Sequence, residues 1–318
     1  MKILAVDDEP FILEMIPLLA ARAGFPEIHT ASSGEAALKL LSNADPAFEC
    51  LIFDINMPEL DGIELCRRVR KLELYRQTPI IMLTAMSDKQ FVDLAFQAGA
   101  TDYATKPFDI TELGARLRLA NELLAARRET EVLRLGSRGA ATAASTLPAA
   151  TEIVGVPKLV DVAALKNYLK QLSRSGATSS QVTALGIQQV EDLRARATPD
   201  EFQYALREVA SAIGFIMSPS LALMAYSGNG IFLVVSNAAA PLDPEHIEGE
   251  VQYFLDERDL QYDDTTPMNF EVLAGGAIRP ISASLEDIEG SIGRAVARLT
   301  ARSQAQKTLR MPPSIRQP

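Results

Sequence analysis

The chain predicts an α/β protein in two parts: a doubly wound five-stranded parallel sheet, then a helical linker and a second α+β module. Three observations carry this expectation. Short, almost purely apolar runs alternate with helical periodicities through the first 125 residues. A stretch rich in Ala, Ser, Thr and Gly, from Gly136 to about Val156, interrupts the chain. The 318 residues also exceed what one core organises, since single cores stop growing near ~250–300 residues.

In the first part, strands are expected at Ile3–Val6, Ile28–Ala31, Leu51–Phe53, Ile80–Leu83 and Tyr103–Thr105. Pro10 suits a first helical turn, and Phe11, Ile12, Met15, Leu18 and Leu19 recur at helical spacing behind it. Pro17 should kink that helix, because it removes a hydrogen bond to Leu13. Further helices are expected over Ala36–Leu41 and Ile63–Leu74. Ser87 and Gln90 form a capping box for a fourth helix, closed by Gly99, and Asp109 with Glu112 opens a fifth. Five βα units in sequence imply a parallel sheet with helices on both faces.

Composition narrows the function. The formal net charge of −10 and the absence of a Lys/Arg-dense block argue against an electrostatic grip on DNA. Cys50 and Cys66 form no CxxC, and His29 and His246 stand alone, so no zinc-type spacing exists. The start, MKILAV followed by two aspartates, is too short and acidic for a secretory signal, and no apolar run approaches ~18 residues. A cytoplasmic protein without membrane contact is expected.

Asp7, Asp8, Asp54, Thr84 and Lys106 each sit where an apolar strand runs out. In an open parallel sheet, ligands bind beyond the carboxyl ends of the strands, so these side chains should converge. Three carboxylates in one crevice repel one another, and a hard divalent cation resolves the repulsion. Magnesium keeps several waters and completes its shell with phosphate. Asp54 can then act as a nucleophile toward phosphorus. Lys106 offers a point charge and Thr84 a hydroxyl to the phosphoryl oxygens.

These residues resemble the receiver domain of two-component response regulators. The likeness covers residues 1 to about 122. It rests on Asp7-Asp8, on Asp54-Ile55-Asn56-Met57-Pro58 with Asp61-Gly62, on Thr84-Ala85, and on Tyr103 with Lys106-Pro107-Phe108. The resemblance implies that Asp54 takes a phosphoryl group from a sensor histidine kinase or a phosphotransfer protein. It also implies Mg2+ held by Asp8, Asp54 and the backbone carbonyl of Asn56, with Asp7 acting through water. Thr84 and Tyr103 would form the switch pair, and Lys106-Pro107 a cis peptide.

The fifth helix should run on from Glu112 to about Leu135, with Leu113, Leu117, Ala120 and Leu124 in a short 4-3-4 seam. Two readings stand for it: a domain helix with a solvated tail, or the stalk of a homodimer that carries the signal onward. Residues 126–157 are read as helical extension and flexible linker.

In the second part, residues 158–303, an opening helix is marked by Leu159, Val162, Leu165, Leu169 and Leu172. A strand follows over Val182–Val190. Thr198, Pro199 and Glu201 cap a helix bearing Phe202, Leu206, Val209 and Ile213. Strands at Leu221–Tyr226 and Ile231–Ser236 flank the turn Ser227-Gly228-Asn229-Gly230. Asp243-Pro244 starts a helix, Met268–Ile278 reads as a strand, and Ser284 with Asp287 caps a last helix carrying Leu285, Ile288, Ile292, Val296 and Leu299. Residues 304–318 are expected to be a polar tail.

The order β-α-β-β-α-β is the ferredoxin-like plan, and with its glycine turn it resembles the GGDEF domain of diguanylate cyclases. Ala225 to Ile231 falls where that family shows Arg-Tyr-Gly-Gly-Asp/Glu-Glu-Phe, and Gly186 to Val190 where it shows Asp-x-Asp-x-Phe. Metal-dependent cyclisation needs carboxylates at both places, yet Asn229, Gly230, Gly186 and Gln188 are neutral. Sliding the alignment brings Glu191 or Asp192 near the strand position but leaves the hairpin without an acid. The inhibitory Arg-x-x-Asp motif is replaced by Ser218-Pro219-Ser220-Leu221. The expectation is a degenerate domain that signals to an unidentified downstream protein and makes no cyclic product. The alternatives are an unrelated ferredoxin-like domain and an active or nucleotide-binding cyclase-like effector.

Overall fold

The computed structural model describes residues 1–85, 89–137, 153–174, 180–237, 243–280 and 284–310. Ser87, the expected cap of the fourth helix, lies outside them, as does most of the Gly136–Val156 stretch. The chain divides into two units, Met1–Pro148 and Ala149–Pro318.

The first unit alternates β1 (Ile3–Val6), α1 (Pro10–Arg22), β2 (Ile28–Ala31), α2 (Gly34–Asn43), β3 (Cys50–Asp54), α3 (Gly62–Lys71), β4 (Ile80–Thr84), α4 (Lys89–Gln97), β5 (Asp102–Thr105) and α5 (Ile110–Ser137). The strands are parallel in the order β2-β1-β3-β4-β5. Every residue of β1, β3 and β4 is buried, which is why those strands read as unbroken apolar runs. One face of the sheet packs on α1 and α5 through Ile12, Ile16, Leu113 and Leu117. The order reverses between β1 and β3, so a crevice opens at their carboxyl ends.

α1 runs from Pro10 to Arg22 with Pro17 inside it. Two expectations are adjusted here. α3 stops at Lys71, and a single 3-10 turn, Glu73–Tyr75, follows instead of more helix. The cause is tertiary: the buried Tyr75 hydroxyl donates to the Leu41 carbonyl at 3.1 Å, and Arg70 donates to the Tyr75 carbonyl at 2.8 Å. In α5, Leu113, Leu117 and Ala120 are buried in the unit's own core. Most of the predicted seam is therefore used within the unit.

The second unit comprises β6 (Leu159–Val160), α6 (Val162–Arg174), β7 (Gln181–Ile187), α7 (Val190–Arg196), α8 (Pro199–Ile216), β8 (Leu221–Tyr226), β9 (Ile231–Ser236), α9 (Pro244–Asp256), β10 (Val272–Ala274) and α10 (Leu285–Arg310). Its sheet runs β10-β7-β9-β8-β6, antiparallel except for the β6–β8 pair. One face carries Leu185, Ile187, Phe232 and Val234 against Phe202 and Val209 of α8 and Ile247 and Val251 of α9. α6 and α10 pack on the sheet as well, through β8 and β7 respectively. Gly186 of β7 lies under α10, where an added Cβ would stand 2.8 Å from Leu299 Cδ2.

Four sequence expectations fail in this unit. Leu159 is in a strand, not a helix, because it pairs with Met224 of β8. Val190 belongs to α7, since Gln189 takes a left-handed conformation (φ 53°) and ends the strand. The strand expected over Met268–Ile278 shrinks to Val272–Ala274. Its outward amides are taken by α9 side chains, Val272 N–H by Gln252 Oε1 at 3.2 Å and Ala274 N–H by Glu248 Oε1 at 2.8 Å. Residues 304–310 are helical rather than a tail: Gln188 donates to Gln306 Oε1 at 2.6 Å and Arg302 pairs with Glu248 at 3.0 Å.

Candidate functional site

The carboxyl end of the parallel sheet gathers the acidic residues around one lysine. β1 delivers Asp7 and β3 delivers Asp54, and both carboxylates are almost wholly buried, at 0% and 3% exposure. Lys106, just past β5, places its Nζ 2.7 Å from Asp7 Oδ2, 2.7 Å from Asp54 Oδ1 and 3.3 Å from Glu9 Oε1. Its backbone N–H donates to the Thr84 carbonyl at 2.6 Å, which fixes the end of β5 against the end of β4. The Lys106–Pro107 peptide is cis. Gly62, which starts α3, has no room for a side chain, because a Cβ would lie 2.0 Å from the Asp54 carbonyl oxygen.

The electrostatics follow from burial and neighbours. Burial pushes the Asp54 carboxyl above its ordinary value, against the pull of Lys106 and the Asn56 N–H, while the charge of Asp8 adds to the rise. Asp7 is raised for the same first reason, opposed by Lys106 and the Glu9 N–H and aided by Asp54. Burial works against the charge of Lys106, but its two carboxylate partners outweigh it and hold the ammonium above its usual range.

Direct contact thus joins Asp7, Asp54 and Lys106. Asp8 is exposed beside them and acts on Asp54 through its charge. Asn56 is exposed on the turn after β3, and the Thr84 side chain is buried at the end of β4. Tyr103, three residues before Lys106, is buried in the sheet. Glu9 is a member the sequence reading missed, although the acidic run Asp7-Asp8-Glu9 signalled it. Among the described residues no three acidic, imidazole or thiol groups are already gathered as a metal cage, since Lys106 stands between Asp7 and Asp54. The donor set is nonetheless all oxygen and over-supplied with negative charge, which fits a hard divalent cation.

In the second unit the turn of Ser227, Gly228, Asn229 and Gly230 is closed by backbone bonds. Ile231 N–H donates to the Gly228 carbonyl and Ser227 N–H to the Ile231 carbonyl, both at 2.9 Å. Gly228, Asn229 and Gly230 have φ of 92°, 49° and 71°, which two glycines and an asparagine tolerate. Gly230 N–H donates to the Tyr226 hydroxyl at 3.1 Å. Glu191 and Asp192 are exposed on the first turn of α7, and His246 is exposed at the start of α9.

Comparison with known proteins bears on this first site. The family described as response regulator receiver domain matches residues 3–118. The chain is 40% identical over 117 residues to the alkaline phosphatase synthesis transcriptional regulatory protein PhoP of Bacillus subtilis, covering 37% of this chain and 47% of that protein. It is 37% identical over 128 residues to the regulatory protein AtoC of Escherichia coli, covering 40% of this chain and 27% of the relative. The chain therefore spans less than half the length of either of these two relatives. Among solved structures, a response regulator from Chloroflexus aurantiacus is 40% identical over 37% of this chain and 95% of its own, with a TM-score of 0.35. The chemotaxis protein CheY4 of Vibrio cholerae is 35% identical over 37% of this chain and 97% of its own, with a TM-score of 0.36. The amino-terminal part of this chain, residues 3–118, belongs to the response regulator receiver domain family.

Proposed function

We propose that Asp54 is the phosphoacceptor of this receiver domain and that the chain signals through protein–protein contacts of its second unit. The observation that carries the first part is the bridge of Lys106 between buried Asp7 and Asp54 at the switch point of the sheet. An Asp54 carboxylate oxygen attacks phosphorus, the bond from phosphorus to the donor histidine nitrogen breaks, and the imidazole leaves with that electron pair. In this reading Lys106 would turn from Asp54 to a phosphoryl oxygen, and the Thr84 hydroxyl would donate to another. Asp8, Asp54 and the Asn56 carbonyl would hold Mg2+, with Asp7 behind a water. When bound, the cation neutralises charge on the carboxylates and the phosphoryl group. Tyr103 backs Thr84 as the second member of the switch. The donor is a sensor histidine kinase or phosphotransfer protein.

The proposal is tested with a small acylphosphate donor and Mg2+, reading the intact mass. One phosphoryl group should add to the native chain and none to Asp54→Asn. Equal labelling of the variant overturns the assignment.

The second unit is read as ferredoxin-like and, more finely, as a degenerate GGDEF-like domain. Supporting this are the sheet order β10-β7-β9-β8 around the β7-α8-β8-β9-α9-β10 succession and the position of the glycine turn. The neutral Asn229 and Gly230, and the occupation of the space over Gly186 by Leu299, argue against cyclase catalysis. Incubation with guanosine triphosphate should yield no cyclic di-guanylate; its appearance would favour the active-effector alternative. Thermal shift with guanine nucleotides tests a domain that binds them without turnover. The curated relatives include transcriptional regulators; here the net charge of −10 favours a protein target over DNA. The two free, buried cysteines accord with a cytoplasmic setting. Among the described residues no helix is long and apolar enough to cross a membrane.

A further inference from the structure

The second unit carries its exposed aromatic residues on one helix pair, α8 and α9. Among its described residues the exposed large hydrophobics are Val154, Phe215 and Tyr253. Phe215, at the end of α8, is 67% exposed and lies against Phe254 of α9, with ring centroids 5.2 Å apart. Tyr253, 65% exposed, precedes Phe254 on α9. Single exposed apolar residues are ordinary, but neighbouring exposed aromatics mark contact surfaces, because rigid rings bury much area at little entropic cost.

On its α9 side the patch is acidic. Residues 243–271 contain 10 Asp or Glu and a single Lys or Arg, Arg258. Arg258 is itself committed: it pairs with Glu208 and lies 4.7 Å over the Phe254 ring. Glu250 and Glu257, three and four residues from Tyr253, are exposed on the same side of α9 and have no ion-pair partner among the described residues. Gly249, one turn before Tyr253, has open space where a side chain would be. The result is an aromatic strip with a flat step and a carboxylate rim.

We propose that this α8–α9 face docks a basic amphipathic helix of a partner protein. Apolar residues of that helix would cover Phe215, Phe254 and Tyr253, and its Lys or Arg side chains would meet Glu250 and Glu257. Charge complementarity selects this occupant. A second copy would set the same carboxylates against each other, and nucleic acid or an anionic membrane would meet like charge. The inference rests on the reading that the second unit acts by protein contact, but not on phosphorylation of Asp54.

The test uses the full chain and a fluorescent 18-residue amphipathic peptide of Lys and Leu, with the same peptide carrying Glu for Lys as control. Anisotropy should show binding of the Lys peptide only, weakening at least tenfold in Phe215→Ser/Tyr253→Ser and in Glu250→Lys/Glu257→Lys. Both pairs of positions are exposed, and unchanged melting of the variants shows that folding is intact. Equal binding to all three proteins, binding of the Glu peptide, or no binding overturns the proposal. Self-association that disappears in Phe215→Ser/Tyr253→Ser also overturns it, in favour of a second copy. Asp54 labelling is independent of each of these outcomes.

Discussion

Replacing Lys106 by Met tests whether the ammonium is what keeps two buried carboxylates tolerable in the receiver domain. Each charge pair is 2.7 Å long, a gross attraction of about 6 kcal/mol at an effective dielectric of about 20. Desolvation offsets most of that, and removing one partner from a buried pair costs about 3–5 kcal/mol. Lys106 is partly solvated, with its side chain 13% exposed, so the lower end, about 3 kcal/mol, is expected without divalent cation. In the variant the folded-state pKa values of Asp7 and Asp54, already raised by burial, rise further above their unfolded values. The folded state then binds more protons than the unfolded one, so stability falls as pH rises. The penalty is complete above the folded pKa values and fades as pH drops through them. Hydrogen exchange read on β1 and β3 peptides isolates this unit. At pH 8 the variant should exchange about a hundredfold faster than the native chain, after correction for intrinsic rates, with a smaller excess at pH 5. Millimolar Mg2+ should narrow the gap by supplying positive charge to the same oxygens. A loss under about 1 kcal/mol, or one indifferent to both pH and Mg2+, would refute the reasoning.

Three further outcomes follow from local geometry. Burial pushes the Cys50 and Cys66 thiols up to about 12 and about 11, so neither should react with a disulfide reagent at pH 8 until the first unit unfolds. Thr198→Ala removes the capping box of α8, in which Glu201 N–H donates to Thr198 Oγ1 at 3.3 Å and Thr198 N–H to Glu201 Oε2 at 2.7 Å. Exchange of the α8 amides should report a loss of about 1 kcal/mol, and no change would contradict the capping role. Gly275→Ala puts a Cβ 2.9 Å from Leu299 N and 3.0 Å from Ala295 O, both backbone atoms of α10. It should destabilise the second unit by about 1–3 kcal/mol, seen as faster exchange along α10 and β7.

How legible each part was depended on where its constraints come from. The parallel sheet was readable because burial of both faces writes itself as runs such as Ile3-Leu4-Ala5-Val6, all at 0% exposure. The acids at the strand ends were readable as a group because strand order alone brings them together. Glu9 escaped because its role, a third carboxylate at Lys106, depends on where that long side chain ends. In the second unit the hairpin of β8 and β9 announced itself through its turn, whereas β6 is two residues long and has no period to detect. β7 was expected as a strand despite its polar residues, and Gln181 and Thr183 are both 1% exposed within it. The extension of α10 past 303 carries side-chain contacts such as that of Gln188 with Gln306, which no periodicity encodes.

The packing of α10 also bears on how the second unit could work under the proposed function. Restoring a carboxylate at Gly186 would not rebuild a metal site, because the space beside that Cα already holds Leu299. A few residues along the sheet, Gly275 admits the α10 backbone just as closely. Two glycines and one leucine therefore lock α10 onto β7 and β10, and a bulkier residue at either position would have to push a packed helix away. A helix held this closely is poorly suited to opening and closing over a substrate. The α8–α9 pair differs in kind: its inner side is core, but its outer side leaves Phe215 and Tyr253 largely exposed, at 67% and 65%. If the second unit answers to the receiver domain, a surface that can be covered or bared requires no rearrangement of the sheet, whereas chemistry at Gly186 would require the third layer to be dismantled.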